Sequence, residues 1–155
     1  MTPAVVALRA AGVAFEVHEY AHDPRSESFG LEAASALGLD ADRVYKTLMA
    51  SADGRLVVAV VPVSARLDLK ALARAVGAAK AAMADVRDAE RVTGYVAGGI
   101  SPFGQRRPHP TVVDESVELW DSVYVSGGRR GLDVEIAPAD LIEVTGAIVA
   151  DISRS

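Results

Sequence analysis

The sequence predicts an α/β chain of the α+β kind, a single domain over residues 1–155 in which short helices pack around a mixed, curved, barrel-like sheet. Three observations carry this. Strand patterns outnumber helical ones, the dipeptide Asp53–Gly54 joins two apolar runs in the manner of a hairpin, and hairpins alternate with helical crossovers. That mixture disfavours a doubly wound parallel sheet. A chain of 155 residues can bury roughly two thirds of its unfolded surface around one core without staples.

Thr2 before Pro3 reads as an N-cap followed by proline in the first helical turn, and Gly12 closes the helix "PAVVALRAA". In "VAFEVHEY", Val13, Phe15 and Val17 share one face and Glu16, His18 and Tyr20 the other, a half-buried strand with Tyr20 at its exit. After the turn "AHDPRSES", "SFGLEAASALGL" gives a second helix ended by Gly38, and Asp40 opens the turn into the strand "RVYKTLMA", residues 43–50. Its hairpin partner is "RLVVAVVPV". Helices follow at "DLKALARAVG" and from Asp85 to Arg91, and "GYVAGGISPFG" is too rich in glycine for either regular state. The last third reads as strands "TVVD", "DSVYVSGG" and "GLDVEI", a helix "PADLIEVTG" and a closing strand "AIVADI".

Cysteine is absent, which removes disulfides, thiolate metal sites and a cysteine nucleophile, and leaves the chain no redox chemistry of its own. The start "MTPAVVALRAAG" lacks a charged region ahead of an apolar run, and no segment approaches the ~18 apolar residues of a membrane span, so a cytoplasmic chain without membrane contact is expected. A net charge of −5 argues against a dedicated nucleic-acid binder coated in positive charge, and no DNA partner is expected. It leaves room for a local basic patch, and "GQRRPH" and "GGRRG" place four arginines in two loops, either as solvated loop charges or as a binding surface. Walker, G-x-G-x-x-G, G-x-S-x-G and H-E-x-x-H motifs are all missing. His18, His22 and Asp23 have metal-ligand chemistry, but i,i+4 spacing converges only on a helix and this segment reads as strand into turn; no metal or cofactor is expected.

Lys46 is the sharper signal. It shares a face with Val44 and Leu48, while Tyr45, Thr47 and Met49 make the other face apolar as well. A strand apolar on both faces is covered on both, and a lysine there either snorkels to water or meets an anion. Asp133, which shares a face with Glu135 in "GLDVEI", could be that anion in a structural ion pair; a ligand could be it instead. Gly98 and Gly99 allow a backbone to approach a ligand or form an ordinary loop. The residues thus describe a pocket with a cation and backbone donors, but no protein nucleophile and no obvious general base.

The blocks "VYKTL", "LDLKALA", "TGYVAGGISPFGQ" and "VYVSGGRRGLDVEI", with "MTPAV" and "EYAHDP", resemble the YbaK subfamily of trans-editing aminoacyl-tRNA deacylases, related to the editing domain of bacterial prolyl-tRNA synthetase. The similarity runs over nearly the whole chain. It implies hydrolytic clearance of cysteine from tRNA for proline, a case where size discrimination worth only ~1–3 kcal/mol must be supplemented by editing. It implies catalytic roles for Lys46, Gly98 and Asp133, and substrate contacts from Tyr20, Lys46, Gly98, Gly99 and Ser126. Lys46 then faces the phosphate and ribose of the tRNA 3′ end, Gly98 the aminoacyl ester, Ser126 and Asp133 line the site, and Tyr20 stands near the terminal adenosine. The implied partners are mischarged tRNA(Pro) and prolyl-tRNA synthetase. The implied mechanism uses the substrate's own thiol as nucleophile, which suits a chain without cysteine. A deacylase of alanine on the same tRNA and a non-catalytic module binding nucleotide or tRNA ends remain the alternatives.

Overall fold

The computed structural model describes residues 1–26 and 28–155. Helix α1 (Pro3–Ala11) begins as expected, with the Thr2 side chain accepting from Val5 N and Gly12 closing it in the left-handed region. Strand β1 (Phe15–Glu19) leads through the turn to α2 (Phe29–Leu37). Asp40 caps a short 3₁₀ turn at Ala41–Arg43, and β2 (Tyr45–Ala52) and β3 (Arg55–Pro62) then form the hairpin. Asp53 and Gly54 both take positive φ, 49° and 83°, the two left-handed positions that an Asp-Gly hairpin turn requires.

A two-residue β4 (Arg66–Leu67), α3 (Leu69–Val76), β5 (Ala81–Met83) and α4 (Val86–Thr93) come next. After the glycine loop follow β6 (Thr111–Asp114), β7 (Val123–Arg129), β8 (Leu132–Ile136), α5 (Pro138–Thr145), β9 (Ile148–Ala150) and β10 (Ser153–Arg154). The strands missing from the sequence reading, β4, β5 and β10, are two or three residues long. Such pieces carry no periodicity to read.

The sheet is mixed, as expected, but it does not close into a barrel. A five-stranded sheet runs β5-β2-β3-β6-β9, with parallel pairing of β6 to β3 and to β9, and a separate three-stranded sheet runs β1-β8-β7. Closure would give every strand two neighbours; β1, β5, β7 and β9 each have one among the described residues. The two sheets meet instead through one parallel bridge, Val44 to Tyr124.

Between them lies the main core. Tyr45, Met49, Val58, Val60 and Val113 from the large sheet pack with Val123, Val125, Val134 and Ile136 from the small one, and with Leu8 and Phe103. On the opposite face of the large sheet, Ala50, Val57, Ala59, Val61 and Val112 pack with Leu72 and Ile152. A third cluster, Ala33, Ala34, Val44, Val63 and Tyr124, seats α2 at the junction. β1 departs from the predicted half-buried pattern: Val17 is exposed, because it sits on an edge strand, whereas His18 is partly covered by Tyr124.

Candidate functional site

Among the described residues β5 pairs with β2 only at Ala50–Ala52, and β7 forms a strand bridge only to Val44, the residue before β2. The edge of β2 from Lys46 to Leu48 therefore has no strand neighbour among the described residues, and the coverage of an otherwise buried strand lapses there. A cavity of about 270 Å³ fills this gap, lined by Tyr20, Phe29, Lys46, Thr47, Gly98, Ser126 and Asp133 among others. Five residues picked out in the sequence, Tyr20, Lys46, Gly98, Ser126 and Asp133, thus meet in one place. Gly99 stands just outside it, buried behind the loop.

Lys46 is half-buried, and burial pulls its amine below the ordinary lysine range. Among the described residues no carboxylate lies within 4.0 Å of it. The ion pair with Asp133 considered from the sequence is therefore not made, although both side chains line the cavity. A cation that has lost water without gaining a carboxylate is poised for an external anion.

Asp133 sits in the middle of the small sheet, opposite His18 of β1 on one side and Ser126 of β7 on the other. Only 5% of it is exposed, and burial raises its carboxyl to about 7, partly offset by the neighbouring His18. Burial and the charge of Asp133 together push the Tyr20 hydroxyl up, and the backbone N–H of Tyr20 donates to Gly131 O at 3.0 Å. Ser126 stands at an irregularity in β7, where its Oγ accepts from Gly128 N at 3.1 Å. Among the described residues its hydroxyl proton has no acceptor.

His18 and His22 do not converge. His18 Nε2 lies 3.0 Å from Glu135 Oε1, while His22 Nδ1 lies 2.7 Å from Glu32 Oε1 and so ties the loop after Tyr20 to α2. Glu16, His18 and Glu135 do place three potential ligand atoms within 4.8 Å of one another, but Glu135 also accepts from Ser122 and faces Arg43 at 3.6 Å. These contacts read as an internal hydrogen-bond network.

The glycine loop serves the site differently from the sequence expectation. Gly99 N donates to Val96 O at 2.8 Å, a tight turn in which Gly98 has φ +84°. A Cβ on Gly98 would point at the Phe29 ring, 2.7 Å from its Cε2, so the glycine makes room first for a protein side chain. A Cβ on Gly99 would meet the backbone of Arg129 at 2.8 Å. Arg130 clamps the same loop, donating from Nε and Nη2 to Ala97 O at 2.9 and 2.6 Å, with its guanidinium 4.3 Å from the Phe29 centroid.

Sequence reasoning missed Phe29, Gly30 and Thr47. Gly30 offered a signal: glycine in the first turn of a helix costs about 1 kcal/mol and marks a close approach, here to Val63. Thr47 offered none. Its Oγ1 is buried, has no hydrogen-bond partner among the described residues and belongs to a cavity-lining residue.

The cavity offers one cation, a carboxyl that exchanges its proton near neutrality, hydroxyls from Tyr20, Thr47 and Ser126, and apolar walls from Val44, Leu48, Phe29 and Ile100. Among the described residues no cysteine or histidine lines it, and neither Ser126 nor Thr47 hydrogen-bonds an activating base.

The chain is similar to known proteins over most of its length. The family model described as the aminoacyl-tRNA editing domain matches residues 27–144. EbsC of Enterococcus faecalis, a candidate Cys-tRNA(Pro)/Cys-tRNA(Cys) deacylase, is 38% identical over 121 residues, 77% of this chain and 74% of its own. YwhH of Bacillus subtilis, uncharacterised, is 28% identical over 113 residues, 72% of this chain and 71% of its own. The crystal structure of a candidate trans-editing enzyme for prolyl-tRNA synthetase superposes with TM-score 0.81 at 28% identity, covering 100% of this chain and 99% of that one. That of a hypothetical protein superposes with TM-score 0.88 at 28% identity over 98% and 99%.

Proposed function

The chain belongs to the aminoacyl-tRNA editing domain family, and from that premise we propose that residues 1–155 act as one trans-editing deacylase domain that releases cysteine from mischarged tRNA(Pro), and from tRNA(Cys) where it is presented. The observation that carries the reading is Lys46: a half-buried cation without a carboxylate partner among the described residues, in a cavity lined by no cysteine or histidine. A volume of about 270 Å³ falls just under the ~300 Å³ lower end of ordinary ligand pockets, which suits an aminoacyl group better than a whole nucleotide.

In this reading Lys46 holds the phosphate and ribose at the tRNA 3′ end, and the ester lies between the Gly98 loop and Ser126. The substrate's thiol sulfur attacks its own ester carbonyl. A C–S bond forms, the C–O bond to the ribose breaks, and the products are a cyclic thiolactone and tRNA with a free 3′-terminal hydroxyl. Asp133, with its carboxyl near 7, is suited to take the thiol proton and return it to the leaving ribose oxygen. Tyr20 forms the wall toward the terminal adenosine. The protein's contribution is confinement and orientation, and such positioning can lower a barrier by ~7–11 kcal/mol. Delivery by a complex with prolyl-tRNA synthetase fits a chain whose net charge is −5.

The test is release of amino acid from tRNA(Pro) charged in turn with cysteine and alanine. Release of cysteine alone supports the reading. Release of alanine at an equal rate replaces it with water attack in a general small-residue deacylase, and release of neither leaves a binding module.

A further inference from the structure

The two arginine pairs noted in the sequence play no part in the cavity chemistry, yet the fold brings both to the loop that forms its wall. Arg129 and Arg130 make the tip of the β7–β8 hairpin. Gly99 lies against the backbone of both, and Arg130 reaches past it to Ala97 O and the Phe29 ring. Arg129 turns the other way, to Glu19 at 3.1 Å, one residue before Tyr20. The hairpin tip therefore touches both sides of the cavity mouth. The second pair arrives from the loop after Phe103: Arg106 N donates to Thr93 O at 2.9 Å and Arg107 N to Val92 O at 3.2 Å, and the Arg106 side chain runs along Gly94. Three residues separate Gly94 from Gly98.

Arg106, Arg107 and Arg129 are exposed. Among the described residues no carboxylate lies within 4.0 Å of Arg106, Arg107 or Arg130. The nearby carboxylates are engaged: Glu90 accepts from Ala97 N at 2.8 Å, Asp88 pairs with Arg91, and Glu19 pairs with Arg129. In a chain of net charge −5, this is a local reversal of sign beside the loop that carries Gly98.

Building on the deacylase reading, we propose that Arg106, Arg107 and Arg129 form a basic rim that holds the phosphates of the RNA strand whose 3′ end enters the cavity. Flexible guanidinium groups at an entrance suit a backbone that must be held without regard to base. The exposed Glu19–Arg129 pair occupies one of these positions in the free protein and yields to a phosphate, since solvent-facing pairs are weak and screened. Arg130 is excluded from the binding set because it is partly buried and holds Ala97 O with both Nε and Nη2, whereas the exposed Arg106 gives only Nη1 to a carbonyl, Arg91 O at 3.3 Å.

The test uses an uncharged RNA hairpin ending in single-stranded ACCA, with binding to the full chain read by fluorescence anisotropy across a sodium chloride series. The triple variant R106Q/R107Q/R129Q should bind more weakly and lose about 2 from the magnitude of the log Kd against log salt slope, at ~0.7–0.9 per phosphate contact. Glu19→Gln, which frees Arg129, should bind more tightly than wild type. The variant K70A/R74A, in the other basic groove beside α3, should bind as wild type does. The proposal is overturned if wild type does not bind this RNA, if the triple variant keeps the slope, or if the loss appears in K70A/R74A instead. Because the RNA carries no amino acid, a rim that binds it in a protein that releases none would refute the deacylase reading and leave the rim standing.

Discussion

Replacing Asp133 by Asn should raise stability in alkaline buffer and leave it nearly unchanged in acid. The carboxyl is buried between His18 and Ser126, and its proton affinity in the folded chain rises from 3.8 to about 7. Folding therefore favours the protonated form. The contribution of Asp133 is full below pH ~4, falls by about 1.4 kcal/mol per pH unit as pH rises, and levels off above about 7. Over that window the loss reaches about 4 kcal/mol as an upper figure, because water entering the cavity would soften the burial. An asparagine carries no charge to bury, so the difference between D133N and wild type cancels the titrations the two chains share and leaves Asp133 with its coupling to His18. Urea unfolding at pH 5 and pH 8.5 measures it. The reasoning requires the D133N gain to be about 2–3 kcal/mol larger at pH 8.5 than at pH 5, by which point only about 1.5 kcal/mol of the loss has occurred. An equal difference at the two pH values would refute the burial account of Asp133 and its suitability for proton exchange.

Other substitutions separate catalysis from folding. Lys46→Ala should abolish deacylation with a stability change within about 1 kcal/mol, since among the described residues no ion pair is lost; unchanged activity, or a large fall in Tm, would count against the assignment. Gly98→Ala places a methyl against Phe29 in a left-handed position and should cost about 1–3 kcal/mol in stability as well as activity. The double variant G98A/F29A should recover part of that stability in urea melts, whereas additive losses would show that the ring is not what the glycine accommodates. Thr47→Val removes a buried hydroxyl without a partner and should stabilise the free protein by about 1 kcal/mol; an increase in KM would then assign the hydroxyl to substrate, and destabilisation would mean that it has a protein partner.

What the sequence disclosed and what it concealed follow from the range of the interactions involved. Elements set by local chemistry were legible: the Thr2 cap and Pro3, Gly12, Gly38 and Gly77 at helix ends, and the Asp53–Gly54 turn all lie where their backbone preferences put them. Lys46 was legible as an anomaly because its neighbours on both faces are apolar. Closure of the sheet was not legible, because it depends on which short edge strands find partners, and β5 and β9 have three residues each. The reason for Gly98 was likewise hidden. Its neighbour in space, Phe29, is far away in sequence, and only the folded chain brings the ring under the loop. The converse holds for Asp133: its strand was evident, but whether it met Lys46 or a solitary burial was a matter of tertiary placement.

The central claim, that the substrate supplies the nucleophile, is tested most directly by release of amino acid from tRNA(Pro) carrying cysteine, serine or S-methylcysteine, each followed against pH. The account predicts that the cysteine ester is released far faster than the other two, although all three are small. Its rate should rise with pH, through about 7 as Asp133 ionises and on toward the ~8.5 of a free thiol. The protein contributes no cysteine to that titration. Equal release of the three esters would contradict the account and assign the attack to a water held in the cavity.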